Sequence, residues 1–325
     1  LKNLFTQNQL NVLERIDLAG QARGLKVFLV GGVLRDTLLG QPSSDFDLVV
    51  EGDGISFAQQ LASEMSLEIK EHPNFLTAKL LGFNGDVAEV DIAAAREESY
   101  PIPGSLPIVK PSTLDRDLIR RDFTINTLTC ALADLIRAIQ QGDNISSIIQ
   151  DKFGGLADLD AKVIRILHPD SFRDDPTRIF RAVRYAARVA GVLEPTTELT
   201  AEKELASGAL NTISYYRIGN ELRWILAENN SLVALELLVK FKVFEKIGFG
   251  VPPQLADVVA KLAQAKKLAP SHNLPYERME LPVFMLLMTP GLSSEARDKL
   301  FLDWGFGKRG VDRAREALSA MGIKL

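Results

Sequence analysis

The hydrophobic pattern changes period part-way along the chain, and that change most narrows what it can fold into. Over the first 135 residues, apolar runs alternate with amphipathic stretches in the α/β manner. A helical opening near 8–22 precedes Val27-Phe28-Leu29-Val30, a buried strand that ends at Gly31-Gly32. A short helix follows over 33–39 and stops at Gly40. Next come a strand at 45–50, a helix near 55–65, and strands at 76–81 and 87–93. The proline- and glycine-punctuated segment 101–107 reads as a mobile surface loop. From Asp170 onward the pattern is helical, with helices expected at 174–189, 197–205, 216–227, 232–241, 255–267 and 293–302. No fixed internal period appears, which argues against a solenoid. The expected class is α+β: a head with a small mixed sheet and helices, then an all-helical neck, body and tail. The expected divisions are 1–138, 139–205, 206–270 and 271–325. A length of 325 residues agrees, since one hydrophobic core rarely grows so far.

Composition removes several function classes. With 46% hydrophobic and 25% charged residues, the chain is an ordinary globular one rather than disordered or fibrous. No run approaches the ~18 apolar residues of a membrane span, and the first residues lack a signal-type apolar core. A cytoplasmic protein without a membrane partner is expected. The start at Leu1 rather than Met leaves room for an upstream domain. One cysteine, Cys130, reads as a buried small hydrophobe, and with three histidines it cannot build a zinc cluster, so any metal must sit on carboxylates. The net charge of −4 hides a polarity: residues 1–138 hold 13 Lys/Arg against 19 Asp/Glu, and residues 261–325 hold 11 against 7. An acidic front suits metal–nucleotide chemistry, and a basic tail suits a phosphate backbone.

The densest signal is Gly31-Gly32-Val33-Leu34-Arg35-Asp36 followed by Asp45-Phe46-Asp47. Two glycines opening a short helix let phosphate oxygens reach backbone N–H groups, and Arg35 adds charge. Asp45 and Asp47, two apart on a strand, point to one face while Phe46 points to the core. Paired carboxylates repel unless a cation neutralises them, and Mg²⁺ prefers carboxylates plus substrate phosphates. Asp91, on another strand, is either an exposed strand carboxylate or a third member of a set holding two Mg²⁺ about 3.5–4 Å apart. The segment Arg120-Arg121-Asp122-Phe123-Thr124-Ile125-Asn126 is either a capped, solvated turn or a ribose and phosphate site. In the second case Asp122 accepts from a 2′-hydroxyl.

At ~100° per residue, a helix from Asp174 puts Ile179, Phe180, Val183, Ala186, Ala187 and Ala190 on one stripe. Arg181, Arg184 and Arg188 fall on an adjacent basic one. Asp175 and Arg178, three apart, can address one ligand or form an intrahelical salt bridge. A carboxylate beside a guanidinium complements the amino donor and ring-nitrogen acceptor of cytosine and adenine, and opposes the carbonyl and N–H of uracil and guanine.

Taken together, Gly31-Gly32 with Arg35-Asp36, Asp45-x-Asp47 and Val90-Asp91-Ile92 resemble the nucleotidyltransferase superfamily of DNA polymerase beta. Arg120 to Asn126 and the run from Asp174 to Arg188 narrow the resemblance to class II tRNA nucleotidyltransferases: the CCA-adding enzymes and the similar bacterial poly(A) polymerases. It covers roughly residues 25–225. It implies a polymerase-beta-like head that uses Mg²⁺ on Asp45 and Asp47, with Asp91 as a further catalytic carboxylate. It implies nucleotide-binding roles for Gly31, Gly32, Arg35, Arg96, Arg121, Asp122, Asn126, Asp175, Arg178, Arg181 and Arg184. CTP and ATP would be substrates, and the tRNA 3′ end with its acceptor stem the partner. Asp175 and Arg178 match the family's base-reading positions, but Asp174 stands where the family has Glu, and Pro176 follows. Full CCA addition, CC-only or A-only addition and poly(A) synthesis share these motifs. A catalytically silent RNA-binding module and an enzyme that adenylylates a small molecule or protein are the rivals from other classes. Arg217 and Glu221, four apart, are expected to brace the neck.

Overall fold

The structure, a computed structural model, describes residues 5–41 and 43–324. Two compact units divide the chain: one holds it up to Pro101 and again over Leu106–His168, and the other holds Ile102–Ser105 and Pro169–Leu325.

The first unit is built on a six-stranded sheet. Its strands are β1 (Val27–Val30), β2 (Asp45–Val50), β3 (Glu68–His72), β4 (Thr77–Leu81), β5 (Glu89–Ala94) and β8 (Thr129–Ala131), in the order β3-β4-β5-β2-β1-β8. β6 (Arg96–Ser99) and β7 (Ile108–Pro111) form a separate hairpin. The helices are α1 (Gln7–Gln21), α2 (Gly32–Leu38), α3 (Gly54–Met65), α4 (Leu114–Ile119), α5 (Leu132–Gln141) and α6 (Gly155–Asp160). β1 is buried throughout because β2 and β8 flank it, both antiparallel. β2 runs parallel to β5, with Asp45 opposite Glu89 and Asp47 opposite Asp91. Alternation along β2 sends Phe46 into the core at 1% exposure and leaves both aspartates accessible. α1 begins at a capping box between Thr6 and Gln9, and α3 at Asp53, whose carboxylate accepts from Ser56 N at 3.0 Å.

Three features of this unit depart from the sequence expectation. β3 and β8 were not anticipated: β3 is a charged edge strand with no apolar alternation, and β8 has only three residues. The segment 101–107 is the connection of the β6–β7 hairpin, and its tip, Ile102–Ser105, is tied by hydrogen bonds at Gly104. Gly104 N donates to Asp174 O at 3.2 Å, and Gly104 O accepts from Arg217 Nη1 at 2.6 Å. Residues 139–168, expected to begin a neck, belong to the first unit. Thr124 Oγ1 donates to the buried Asp158 at 2.6 Å, and bridges pair Phe123 with Ile166 and Thr129 with Gln150.

The second unit is predominantly helical. Its helices are α7 (Ser171–Asp174), α8 (Thr177–Arg188), α9 (Pro195–Ala206), α10 (Tyr215–Leu226), α11 (Ser231–Lys240), α12 (Val243–Lys246), α13 (Leu255–Leu268), α14 (Tyr276–Met288), α15 (Ser294–Asp303) and α16 (Gly307–Ala320). The single helix expected over 174–189 is broken. Pro176 disfavours helical geometry in the residue before it, and Asp175 is extended at φ −136° and ψ 96°. α14 went unseen because Leu281 to Met288 is apolar all round with Pro282 inside it, which hides the helical period. Phe244, Phe249, Phe284 and Trp304 form the aromatic centre, with neighbouring ring centroids 5.2–6.3 Å apart. Among the described residues, no helix is long and apolar enough to cross a membrane. Burial pushes the Cys130 thiol up to about 12, which makes it an inert core residue.

α3 packs close on the sheet at Gly54, where an added Cβ would lie 2.7 Å from Ala94 N and 3.0 Å from Ala93 C. Both atoms are strand backbone, so the helix or the strand must move. Gly54→Ala should cost about 1–3 kcal/mol, read as a lower urea midpoint at constant slope. An unchanged midpoint would show that the helix does not approach this closely.

Candidate functional site

The site in the first unit starts from β2. Asp45 and Asp47 stand on its accessible face, and Ser44 Oγ donates to Asp45 Oδ1 at 3.0 Å. Asp47 is accessible yet enclosed by protein, and this desolvation raises its carboxyl above the usual range. Arg121 opposes the rise, and Asp91 and Asp45 add to it. Such a pair, with its charge incompletely offset, fits a hard divalent cation bound through oxygen.

Asp91 stands opposite Asp47 and has a cation of its own beside it. Across the sheet it lies between Asp47 on β2 and Lys79 on β4, and Lys79 Nζ sits 3.2 Å from Asp91 Oδ2. Lys79 also pairs with Glu89. Among the described residues, no group of three or more His, Cys, Asp and Glu is placed to hold a metal. Burial raises the Asp91 carboxyl and Lys79 opposes that rise. Lys79 was not singled out from the sequence, because only the strand register puts it beside Asp91.

The glycine turn serves partly as expected. Gly31, at φ +68°, caps α2, where a Cβ would meet Arg121 Nη1 at 3.0 Å. Its N–H is already donated to Leu128 O, whereas that of Gly32 has no acceptor among the described residues. Arg35 is not presented to a ligand: it is 2% exposed, grips Asp36 through Nε at 2.8 Å and Nη2 at 2.9 Å, and donates from Nη1 to Asn126 Oδ1 at 2.6 Å. Asn126 Nδ2 in turn donates to Asp122 Oδ1 at 2.9 Å. Arg35, Asn126 and Asp122 form a buried, hydrogen-bonded relay beneath the turn.

A cleft of about 340 Å³ is lined by Asp47, Asp91, Thr77, Arg96, Arg120 and Arg121, among others. Its arginines are held from behind by two carboxylates that were not identified from the sequence. Asp117, on α4 and 0% exposed, takes Arg120 Nη2 on one oxygen at 2.6 Å and Arg121 Nη2 on the other at 2.9 Å. Glu98 takes Arg120 Nη1 at 2.7 Å and lies 3.4 Å from Arg96 Nε. Burial alone would raise the Asp117 carboxyl, but Arg121 and Arg120 outweigh it and hold it below the usual range.

In the second unit, Asp175 sits before α8 rather than on it, and its Oδ1 accepts from Thr177 N, Thr177 Oγ1 and Arg217 Nη2. Arg178 is 6% exposed and donates from Nη1 to the buried Ser171 Oγ at 2.8 Å. Arg181, Arg184 and Arg188 do not form a solvated basic rail. They surround the Tyr185 ring at 5.4, 4.6 and 6.0 Å, and none is fully exposed. Arg184, 7% exposed, lies 3.6 Å from Glu228 and 4.0 Å from Glu221, and Arg188 also pairs with Glu228. On α10, Arg217 thus contacts Asp175, and Glu221 lies 4.0 Å from Arg184. A groove of about 630 Å³ between α14 and α16 has an apolar floor, including Met279 and Phe306, with the exposed arginines 278, 309 and 313 in its lining.

Residues 27–165 match the poly A polymerase head domain. The A-adding tRNA nucleotidyltransferase of Aquifex aeolicus is 39% identical over 283 residues, 86% of this chain and 32% of that protein. Its counterpart from Geobacter sulfurreducens is 39% identical over 290 residues, 87% of this chain and 31% of that protein. The chain therefore spans about a third of the length of these curated relatives. A solved tRNA nucleotidyltransferase, complexed with a primer tRNA and an incoming ATP analogue, is 31% identical with a TM-score of 0.69, covering 94% of this chain and 84% of that one. Sequence and fold thus agree over nearly the whole chain, which belongs to the tRNA nucleotidyltransferases, the CCA-adding family, whose members use a divalent metal.

Proposed function

We propose that the chain adds nucleotides to the 3′ end of tRNA from CTP or ATP with release of pyrophosphate, and that the terminal adenosine is the addition it is built for. The observation that carries this reading is the pair Asp45 and Asp47 beside an arginine-lined cleft. Mg²⁺ held by these two carboxylates would supply positive charge for the ionising 3′-hydroxyl and for the departing pyrophosphate. The 3′-oxygen bonds to the α-phosphorus as the bond to the β-bridging oxygen breaks. Arg96, Arg120 and Arg121 hold the triphosphate, preset by Asp117 and Glu98, and the free N–H of Gly32 offers a further donor. Asp91 serves as a further carboxylate of the cleft, its charge balanced by Lys79. Asp175 and Arg178 read the base edge, accepting cytosine and adenine.

The groove lined by Arg278, Arg309 and Arg313 takes the RNA, through phosphate and shape. This role passes to the tail because Arg181, Arg184 and Arg188 are engaged with Tyr185 and two glutamates. A reaction that needs tRNA, CTP and ATP together is in keeping with a cytoplasmic protein. The two A-adding relatives favour the terminal adenosine; full CCA addition is the second reading, favoured by a solved CCA-adding enzyme that is 30% identical and of which this chain covers 72%.

Labelled CTP and ATP, offered with Mg²⁺ to tRNA transcripts ending before CCA, after C and after CC, separate these readings. The terminal-A reading expects ATP incorporation on the CC transcript alone, abolished in Asp45→Ala. Stepwise CTP then ATP addition on the shortest transcript would establish full CCA addition, and no incorporation on any transcript would sink both. Asp117→Asn should cost roughly 3–5 kcal/mol, because two partly buried guanidinium groups lose their shared anion. Its KM for nucleotide should rise more than its kcat falls. Because the folded-state pKa is depressed, Asp117 stabilises the wild type above its unfolded pKa, and that contribution is lost as pH falls through the folded value. The stability gap to the variant should therefore narrow in acid, and a gap independent of pH would contradict this role.

A further inference from the structure

Asp175 is bonded on one side only. Oδ1 accepts from Thr177 N at 3.0 Å, Thr177 Oγ1 at 2.6 Å and Arg217 Nη2 at 2.7 Å, whereas Oδ2 has no donor among the described residues. The side chain is 21% exposed, so Oδ2 is within reach of a ligand. A carboxylate oxygen offers about two lone-pair directions, so three donors saturate Oδ1. Two of them come from the local turn before α8 and fix only where Oδ1 lies. The third arrives from α10, and the same guanidinium donates from Nη1 to Gly104 O at 2.6 Å. A planar fork with two acceptors has a set orientation, so it sets the plane of the carboxylate it grips.

We infer that Arg217 is a specificity-positioning residue: by occupying Asp175 Oδ1 and fixing the carboxylate plane, it leaves Oδ2 as the single acceptor for the exocyclic amino group of an incoming base. The inference rests on the base-reading role proposed for Asp175 and deepens it. With the carboxylate locked, an amino group meets a lone pair, and the carbonyl of uracil or guanine at that place meets another acceptor and is repelled. Without Arg217, the carboxylate turns about its Cβ–Cγ bond and either oxygen swings aside or admits a water, so the penalty against the wrong bases falls. Lysine cannot replace it, because one ammonium lacks the planar fork that grips Gly104 O and Asp175 together.

The test measures the affinities of CTP, ATP, UTP and GTP by equilibrium dialysis with Mg²⁺ and no RNA, for the wild type, Arg217→Met and Arg217→Lys. Melting temperatures are recorded beside them. The wild type should prefer CTP over UTP and ATP over GTP by about tenfold or more, the value of one charge-assisted hydrogen bond. In Arg217→Met both ratios should collapse, with CTP and ATP binding more weakly as their acceptor is lost and UTP and GTP binding better as the repulsion is relieved. Arg217→Lys should recover at most part of the ratio, and it carries the test should the Met variant not fold. Equal weakening of all four nucleotides, or a lower melting temperature with the ratios kept, would leave Arg217 a structural brace and overturn the inference. So would a wild type without preference. Extension of tRNA by the wild type is scored separately, so failure of the function and failure of this inference cannot be confused.

Discussion

Two like charges on one face of the most central segment of the sheet set the terms for the rest of the first unit. The period of a strand makes Asp45 and Asp47 neighbours, and the core-facing Phe46 pins that alternation, because a slip of one residue would bury both carboxylates and expose the ring. The parallel partner strand brings Asp91 opposite Asp47, and a further strand answers with Lys79. Compensation by protein groups is only partial: Arg121 offsets some of the strain on Asp47, and the carboxyl still titrates above its ordinary range. An arrangement that costs stability and is left incompletely neutralised suits a cation and an anionic substrate, as proposed for this site.

A second regularity runs through both units. Side chains proposed to meet a ligand are each held by further side chains. Asp117 and Glu98 aim the cleft arginines, the Arg35–Asn126–Asp122 relay supports the glycine turn, Ser171 holds Arg178, and Thr177 with Arg217 holds Asp175. Such holders remove rotamer freedom before a ligand arrives, and binding then loses less entropy. The cost is a set of buried charges that must stay paired.

This division explains what could be read in the sequence. β1, β2 and the residues that face outward from β2 were legible, because alternation and glycine punctuation are local signals. The motif residues Asp45, Asp47, Arg121, Asp175 and Arg178 were legible as types in order. What escaped was set by register and tertiary packing. Lys79 is one charge among many until β4 pairs with β5, and Asp117 looks like an exposed acid in a short charged helix although no part of it reaches solvent. Arg35 and Arg184 were read as ligand-facing because their chemistry suits phosphate, whereas each is buried against protein carboxylates. The helical period across 174–189 hid the break at Pro176, and the restriction that this proline places on Asp175 decides how that carboxylate is presented.

The most direct test is the unfolding midpoint of the wild type and Asp47→Asn, each in metal-free buffer and in Mg²⁺ at neutral pH. Because the fold raises the Asp47 carboxyl, its ionised form destabilises the metal-free protein above the ordinary carboxylate range. The account expects the variant to be the more stable of the two without metal, and Mg²⁺ to raise the wild-type midpoint far more than that of the variant. A variant that is less stable without metal, and that keeps the full Mg²⁺ response, would contradict it.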